Sequence, residues 1–213
     1  MTKIKICGIT ESEDALVAYR SGADFLGFVF HSNSPRFIKP KQVKGVKTFL
    51  EINGIKKWTP IGVFVDEKIE NIVRIAKECN LFAIQLHGNE SPEFCLELKK
   101  NKIFIIKAFR IKDQQSLEGI ERYDVDSYLF DTYNPNAMGG TGETFDHNII
   151  LPFVKKYRVF LAGGLTPENV GEIIKKVQPY AVDISSGVEK TKGIKDPDKI
   201  YRFIKAVKSA SLV

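Results

Sequence analysis

Asp24-Phe25-Leu26-Gly27-Phe28-Val29-Phe30 carries its one charge at the first position and, apart from a central glycine, is apolar from there on. A strand with one face in water alternates polar and apolar residues. An unbroken apolar run rich in aromatic side chains is the pattern of a parallel strand covered on both faces. The flanks agree with that reading. Upstream, residues 11–19 read as a helix: Thr10 is placed to cap it, Glu13 falls at its third position, acids crowd the first turn and Gly22 closes it. Downstream, residues 31–37 are rich in turn formers and a helix is expected from about Pro40. Helix, covered strand, loop and helix together form a unit of an α/β fold.

The unit repeats along the chain. Strands are expected at 61–65, 83–86, 103–108, 127–130, 159–162 and 181–184. They alternate with helices at 67–77, 91–100, near 114–123, from about Asp146, from about Pro167 with Thr166 as its cap, and from about Asp196. Counting a first strand before Gly8, eight strand-helix units with right-handed crossovers fit a closed (β/α)8 TIM barrel, one domain over residues 1–213. An open doubly wound sheet of eight strands is the alternative.

The totals narrow the function. At 213 residues, 43% hydrophobic and 27% charged, the chain has the composition of an ordinary globular domain. The net charge of +6 is spread over lysines interleaved with acids, without the basic and aromatic interleaving of single-strand binders, so an anionic small molecule is expected rather than nucleic acid. No apolar run approaches the length of a membrane span and no apolar stretch of leader type stands before Lys3, so a cytoplasmic protein is expected. Cys7, Cys79 and Cys95 are odd in number and far apart, with no CxxC and no histidine cluster, so neither a disulfide framework nor a metal site is expected.

In such a barrel, functional side chains collect at the C-terminal ends of the strands. Strand one, Lys3-Ile4-Lys5-Ile6-Cys7, puts Ile4 and Ile6 on one face and Lys5 and Cys7 on the other. Cys7 is then either a small buried hydrophobe or a thiol that the neighbouring ammonium helps to ionise. Further strand ends bring Arg36, Gln85, His87, Asp131 and Asp183 to the same rim. Gly163-Gly164 and Ser185-Ser186-Gly187 follow strands seven and eight, where backbone can approach an anion closely and barrels often bind phosphate. A glycine-rich loop at 138–142 is either part of the site or a mobile lid.

Seven blocks, Lys5-Ile6-Cys7-Gly8-Ile9-Thr10, Ser34-Pro35-Arg36, Gln85-Leu86-His87-Gly88, Phe130-Asp131-Thr132, Gly139-Gly140-Thr141-Gly142, Ala162-Gly163-Gly164-Leu165 and Asp183-Ile184-Ser185-Ser186-Gly187-Val188-Glu189, run in order along the whole chain and resemble the motif series of the phosphoribosylanthranilate isomerases. The resemblance implies a cofactor-free Amadori rearrangement of N-(5-phosphoribosyl)anthranilate in tryptophan biosynthesis. It implies Asp131 as general acid, Cys7 as general base and Arg36 on the anthranilate carboxylate, with Gly163, Gly164, Ser185, Ser186 and Gly187 on the phosphate. Gln85, His87 and Asp183 are expected on the substrate, Lys5 and Asp183 as an inward ion pair, and the enzyme as a monomer or homodimer. For the pair to act near neutral pH, the Asp131 carboxyl should be raised by its apolar surroundings and the Cys7 thiol lowered by Lys5. One departure is Phe145-Asp146-His147, where the family often reads Phe-Asp-Trp; Asp146 can still cap its helix, and His147 is expected to be exposed. The rival readings are indole-3-glycerol-phosphate synthase or another sugar-phosphate barrel enzyme, a non-catalytic phosphate-binding barrel, and, on charge alone, a nucleic-acid binder.

Overall fold

A computed structural model describes residues 1–131 and 146–211 of the chain. The glycine-rich loop at 138–142 lies outside the described residues. Eight parallel strands, β1 (Lys3–Ile6), β2 (Phe25–Val29), β3 (Pro60–Phe64), β4 (Ala83–Leu86), β5 (Phe104–Arg110), β6 (Ser127–Asp131), β7 (Val159–Ala162) and β8 (Ala181–Ile184), follow one another around a closed ring. The ring closes where β1 pairs with β8, with Lys5 opposite Asp183. The closed barrel expected from the alternation is therefore the fold, and the open sheet is not.

Strand β2 shows why its sequence has that form. Leu26 and Phe28 point outward into the layer shared with the helices, while Phe25 packs inside with Ile61, Ile106, Leu129 and Phe160. Gly27 also faces inward, where a Cβ would stand 2.8 Å from the Cys7 Sγ and 3.0 Å from the Lys5 Cε. The glycine in the middle of the apolar run is thus the space that the lysine and the thiol occupy. The Phe25 and Phe160 rings, 5.6 Å apart, help to fill the N-terminal end of the barrel with apolar groups, so its polar layer lies above them.

The helices are α1 (Ser12–Ser21), α2 (Pro40–Ile52), α3 (Ile69–Glu78), α4 (Pro92–Lys99), α5 (Leu151–Lys156), α6 (Val170–Val177) and α7 (Pro197–Ala210). Gly22 ends α1 in a left-handed conformation, donating to Ala18 and Tyr19. The expected Thr10 cap does not form: its hydroxyl donates instead to the Gly193 carbonyl at 2.6 Å, and Glu11 precedes α1 without a side-chain cap. The helix expected near 114–123 is two short 3₁₀ turns, Gln115–Leu117 and Ile120–Arg122. Gly119 at φ 75° separates them, and only Leu117 and Ile120 in that stretch are buried, too little apolar surface to hold a longer helix in place. Thr166 does accept from the Glu168 and Asn169 amides, but α6 proper starts only at Val170. Asp146 caps the 3₁₀ turn His147–Ile150 ahead of α5, and His147 is half-buried rather than exposed.

After β8 a short hairpin, β9 (Glu189–Thr191) with β10 (Ile194–Lys195), folds back toward the barrel mouth. Thr10 holds it at Gly193, and Asp14 on α1 accepts from the Lys195 amide at 2.9 Å. The first helix thereby fixes the position of the hairpin.

Candidate active site

The C-terminal ends of the strands enclose a mouth of about 470 Å³, within the usual range of small-molecule pockets. A cavity of about 490 Å³ lies elsewhere, lined by residues such as Met1, Tyr180 and Ser211, so size does not single out the mouth. Chemistry does: Cys7, Arg36, Gln85, His87, Asp131 and Asp183 line it, together with Gly163, Gly164, Ser185, Ser186 and Gly187. Every site residue expected from the sequence is on this one wall.

Its floor is the Lys5 ammonium, fully buried. The three donors of Lys5 meet three acceptors: Asp183 Oδ2 at 2.7 Å, Gln85 Oε1 at 2.5 Å and Cys7 Sγ at 3.3 Å. The inward Lys5–Asp183 pair expected from the strand pattern is present. Burial alone would lower the lysine, but Asp183 and the other partners outweigh it and hold its pKa above the ordinary value. For Cys7 the balance goes the other way. Burial pushes the thiol above its ordinary range and the adjacent Lys5 only partly offsets that, so the expected lowering is not found. Much of the ammonium's field is already spent on Asp183.

Around this floor the wall divides by character. Cys7 packs with Val29 and Val63, an apolar side formed by the ends of β1, β2 and β3. Gln85 reaches the mouth, but its amide is engaged at both ends, by Lys5 and by His87 Nδ1 at 2.8 Å. His87 Nε2 faces Asp131 Oδ2 at 3.6 Å. The other carboxylate oxygen of Asp183, Oδ1, is buried and has no hydrogen-bond partner among the described residues. Across the ring, Gly163 and Gly164 take up left-handed φ values of 92° and 62°, and a Cβ on Gly164 would meet nothing within 4 Å. The Gly164 amide has no acceptor among the described residues. Successive amides exposed in such a turn suit an anion.

Two residues of the site were not singled out from the sequence. Glu189 receives Arg36 Nε at 2.6 Å and Nη2 at 2.7 Å, a bidentate pair. Lys195, fully buried, donates to Glu189 Oε1 at 3.0 Å and to the Ser185 carbonyl at 3.1 Å. Burial would raise Glu189, yet the hydrogen bonds from Arg36 and the charge of Lys195 hold its carboxyl below the ordinary range. Glu189 closes the motif block that begins at Asp183, but neither it nor Lys195 has a local pattern that marks it as buried. Among the described residues, no group of three or more His, Cys, Asp or Glu could hold a metal ion, and no helix is long and apolar enough to cross a membrane.

The family model for N-(5'-phosphoribosyl)anthranilate (PRA) isomerase matches residues 4–206. The N-(5'-phosphoribosyl)anthranilate isomerase of Geobacter metallireducens is 45% identical over 98% of this chain and 100% of its own. The crystal structure of phosphoribosyl anthranilate isomerase from Thermotoga maritima superposes with a TM-score of 0.88 at 42% identity, covering 98% of this chain and 100% of that one. A further structure of such an isomerase, in complex with reduced 1-(o-carboxyphenylamino)-1-deoxyribulose 5-phosphate, is similar at a TM-score of 0.86 and 40% identity, with coverage of 98% and 100%.

Proposed function

We propose how this mouth serves the reaction of the family to which the chain belongs, the N-(5'-phosphoribosyl)anthranilate isomerases. The chain is an isomerase of tryptophan biosynthesis. It carries out the Amadori rearrangement of N-(5-phosphoribosyl)anthranilate to 1-(2-carboxyphenylamino)-1-deoxyribulose 5-phosphate.

Asp131 is the general acid. It gives a proton to the ribose ring oxygen as the C1–O bond breaks, and the anthranilate nitrogen lone pair moves into the C1–N bond to form an open-chain iminium ion. Cys7, as thiolate, then removes the proton from C2. The electrons of that C–H bond form a C1–C2 double bond, and those of the iminium return to nitrogen, leaving an enolamine. Loss of the hydroxyl proton on C2 with protonation at C1 gives the ketone product. The iminium charge makes the C2 proton acidic and favours a thiolate beside it, which offsets the raised resting thiol. Each group is worth about 10² to 10⁴ in rate.

Binding is divided among the other residues. Arg36 takes the anthranilate carboxylate, since a planar guanidinium matches a carboxylate better than an ammonium does. The apolar side at Cys7, Val29 and Val63 suits the aromatic ring. The open acceptor on Asp183 suits a sugar hydroxyl. Gly163, Gly164, Ser185, Ser186 and Gly187 receive the phosphate through backbone donors. All of these come from one chain, so a monomer and a homodimer would both hold a complete site. We take residues 1–213 as one barrel domain, supported by the β1–β8 closure, and place the enzyme in the cytoplasm, supported by three buried free cysteines.

The observation that carries the reading is the placement of Cys7 and Asp131. Cys7 directly follows β1 and Asp131 is the last residue of β6, three steps apart around the closed barrel, and both line one mouth. The test is a pair of variants. Cys7→Ser and Asp131→Asn should each retain the fold and substrate affinity while kcat falls by about 10² or more. Near wild-type turnover by either variant removes that residue from its role.

A further inference from the structure

Gln85 is 1% exposed and stands between Lys5 and His87. An ammonium can only donate, so the atom of the Gln85 amide that Lys5 meets at 2.5 Å must be the oxygen. The reversed amide would set an NH2 against a buried NH3⁺, two donors in contact with nothing to accept. With the oxygen fixed, Nε2 is the atom facing His87 Nδ1 at 2.8 Å. An amide nitrogen also only donates, so Nδ1 is the bare, accepting nitrogen of the ring and the ring proton is on Nε2. That N–H faces Asp131 Oδ2 at 3.6 Å, a separation that closing by about half an ångström would turn into a hydrogen bond.

We propose that Gln85 is a positioning residue for the acid step: held by Lys5, it locks His87 in the Nε2–H tautomer, so that His87 presents a donor to Asp131 Oδ2. Two protons cannot share that contact. The transferable proton of Asp131 therefore resides on Oδ1, and the acid is oriented before substrate arrives. The contacts form an unbroken series from Cys7 through Lys5, Gln85 and His87 to Asp131. It orients rather than conducts, because the Gln85 carbonyl oxygen has no proton to pass on. This extends the assignment of Asp131 as the acid and rests on it.

The tautomer is measurable without turnover. The chain has three histidines, so long-range ¹H–¹⁵N correlation of the labelled full-length protein, with His87→Asn to assign the ring, reads it directly. His87 should show a protonated Nε2 and a bare Nδ1. A proton on Nδ1 at the pH of activity overturns the inference. Gln85→Glu keeps the size and the Lys5 contact but sets an acceptor against Nδ1. The ring proton should move to Nδ1, and kcat should fall by about tenfold or more with KM little changed. Gln85→Met removes both contacts and should give mixed tautomers with an intermediate kcat, a readout that stands even if the glutamate variant fails to fold. A shifted tautomer with unchanged kcat in either variant overturns the positioning role. If instead Asp131→Asn keeps its kcat while the wild-type ring reads as Nε2–H, the acid assignment fails and the tautomer argument does not.

Discussion

Arg36 and Glu189 meet through two parallel charge-assisted hydrogen bonds, Nε to Oε1 at 2.6 Å and Nη2 to Oε2 at 2.7 Å, and Arg36 Nη1 has no partner among the described residues. One edge of the guanidinium is committed and the rest is left toward the mouth. Lys195 lies behind the carboxylate, so Arg36, Glu189 and Lys195 together carry one net positive charge beside the cavity. The arrangement holds a cation in a fixed orientation for an anionic group.

Removing that support should act on binding first. Glu189→Gln loses a charge-assisted pair worth roughly 1.5 to 3 kcal/mol, so KM should rise by about tenfold or more while kcat changes less. Arg36→Lys should show the same pattern, because an ammonium cannot serve Glu189 and a carboxylate in one plane. A loss confined to kcat would place Arg36 in the chemistry instead.

The same substitution tests stability. Lys195 would be left buried without its counter-ion, and breaking a buried pair costs about 3 to 5 kcal/mol. The sign in pH follows from Glu189, whose folded pKa is held below the ordinary carboxylate range. Its stabilisation is complete above the ordinary glutamate range and is lost as pH falls through the lower, folded value. Denaturation followed against pH should show this acid-side loss in the wild type and not in Glu189→Gln. Equal acid profiles would contradict it.

Which parts of this were legible in the sequence follows from the range of each interaction. The run at Asp24 to Phe30 and the alternation in Lys3 to Cys7 report local periodicity, and the barrel and the shared face of Lys5 and Cys7 follow from them. Glu189 and Lys195 were hidden because burial of a charge is decided by distant partners, here Arg36, Ser185 and Asp14. Thr10 looked like a cap because its neighbours are helical; its actual acceptor is Gly193, far along the chain. The ionisation of the thiol is set in the same way by groups outside the strand. Strand periodicity placed Lys5 beside Cys7, but not the desolvation of the sulfur that outweighs the ammonium.

The anion subsite can be tested at one atom. A Cβ on Gly164 meets no protein atom within 4 Å, so Gly164→Ala should fold, at a cost of about 1 to 2 kcal/mol for a left-handed φ. The added methyl stands where the anion is expected. KM for substrate and the inhibition constant of inorganic phosphate should therefore rise together, by about tenfold if one contact of about 1.4 kcal/mol is lost. A substrate effect with unchanged phosphate inhibition would move the phosphate elsewhere.

The acid-base route proposed for Asp131 and Cys7 calls for no metal ion, and the described residues offer no ligand cluster for one. Activity should survive exhaustive chelation. Loss on chelation, restored by a divalent ion, would overturn the acid-base route.

The thiol itself sets a pH limb with a definite sign. Burial holds Cys7 above the ordinary thiol range, against the pull of Lys5, so the free enzyme carries mostly thiol near neutrality. A base must be deprotonated, hence kcat/KM should rise with pH until that raised value is passed. In the enzyme-bound iminium the adjacent cation favours the thiolate, so the corresponding limb in kcat should lie at lower pH. Alkylation reports the same ionisation, because only the thiolate reacts. The rate of inactivation by iodoacetamide should climb along the kcat/KM limb, and bound product should protect. Cys79 and Cys95, both pushed up to about 11 by burial and away from the mouth, should stay unmodified. Cys7→Ser should abolish the limb together with most of the turnover. If inactivation follows a different pH dependence from kcat/KM, or if labelling falls on another cysteine, the thiolate of Cys7 is not the base and its place at the end of β1 is one of packing.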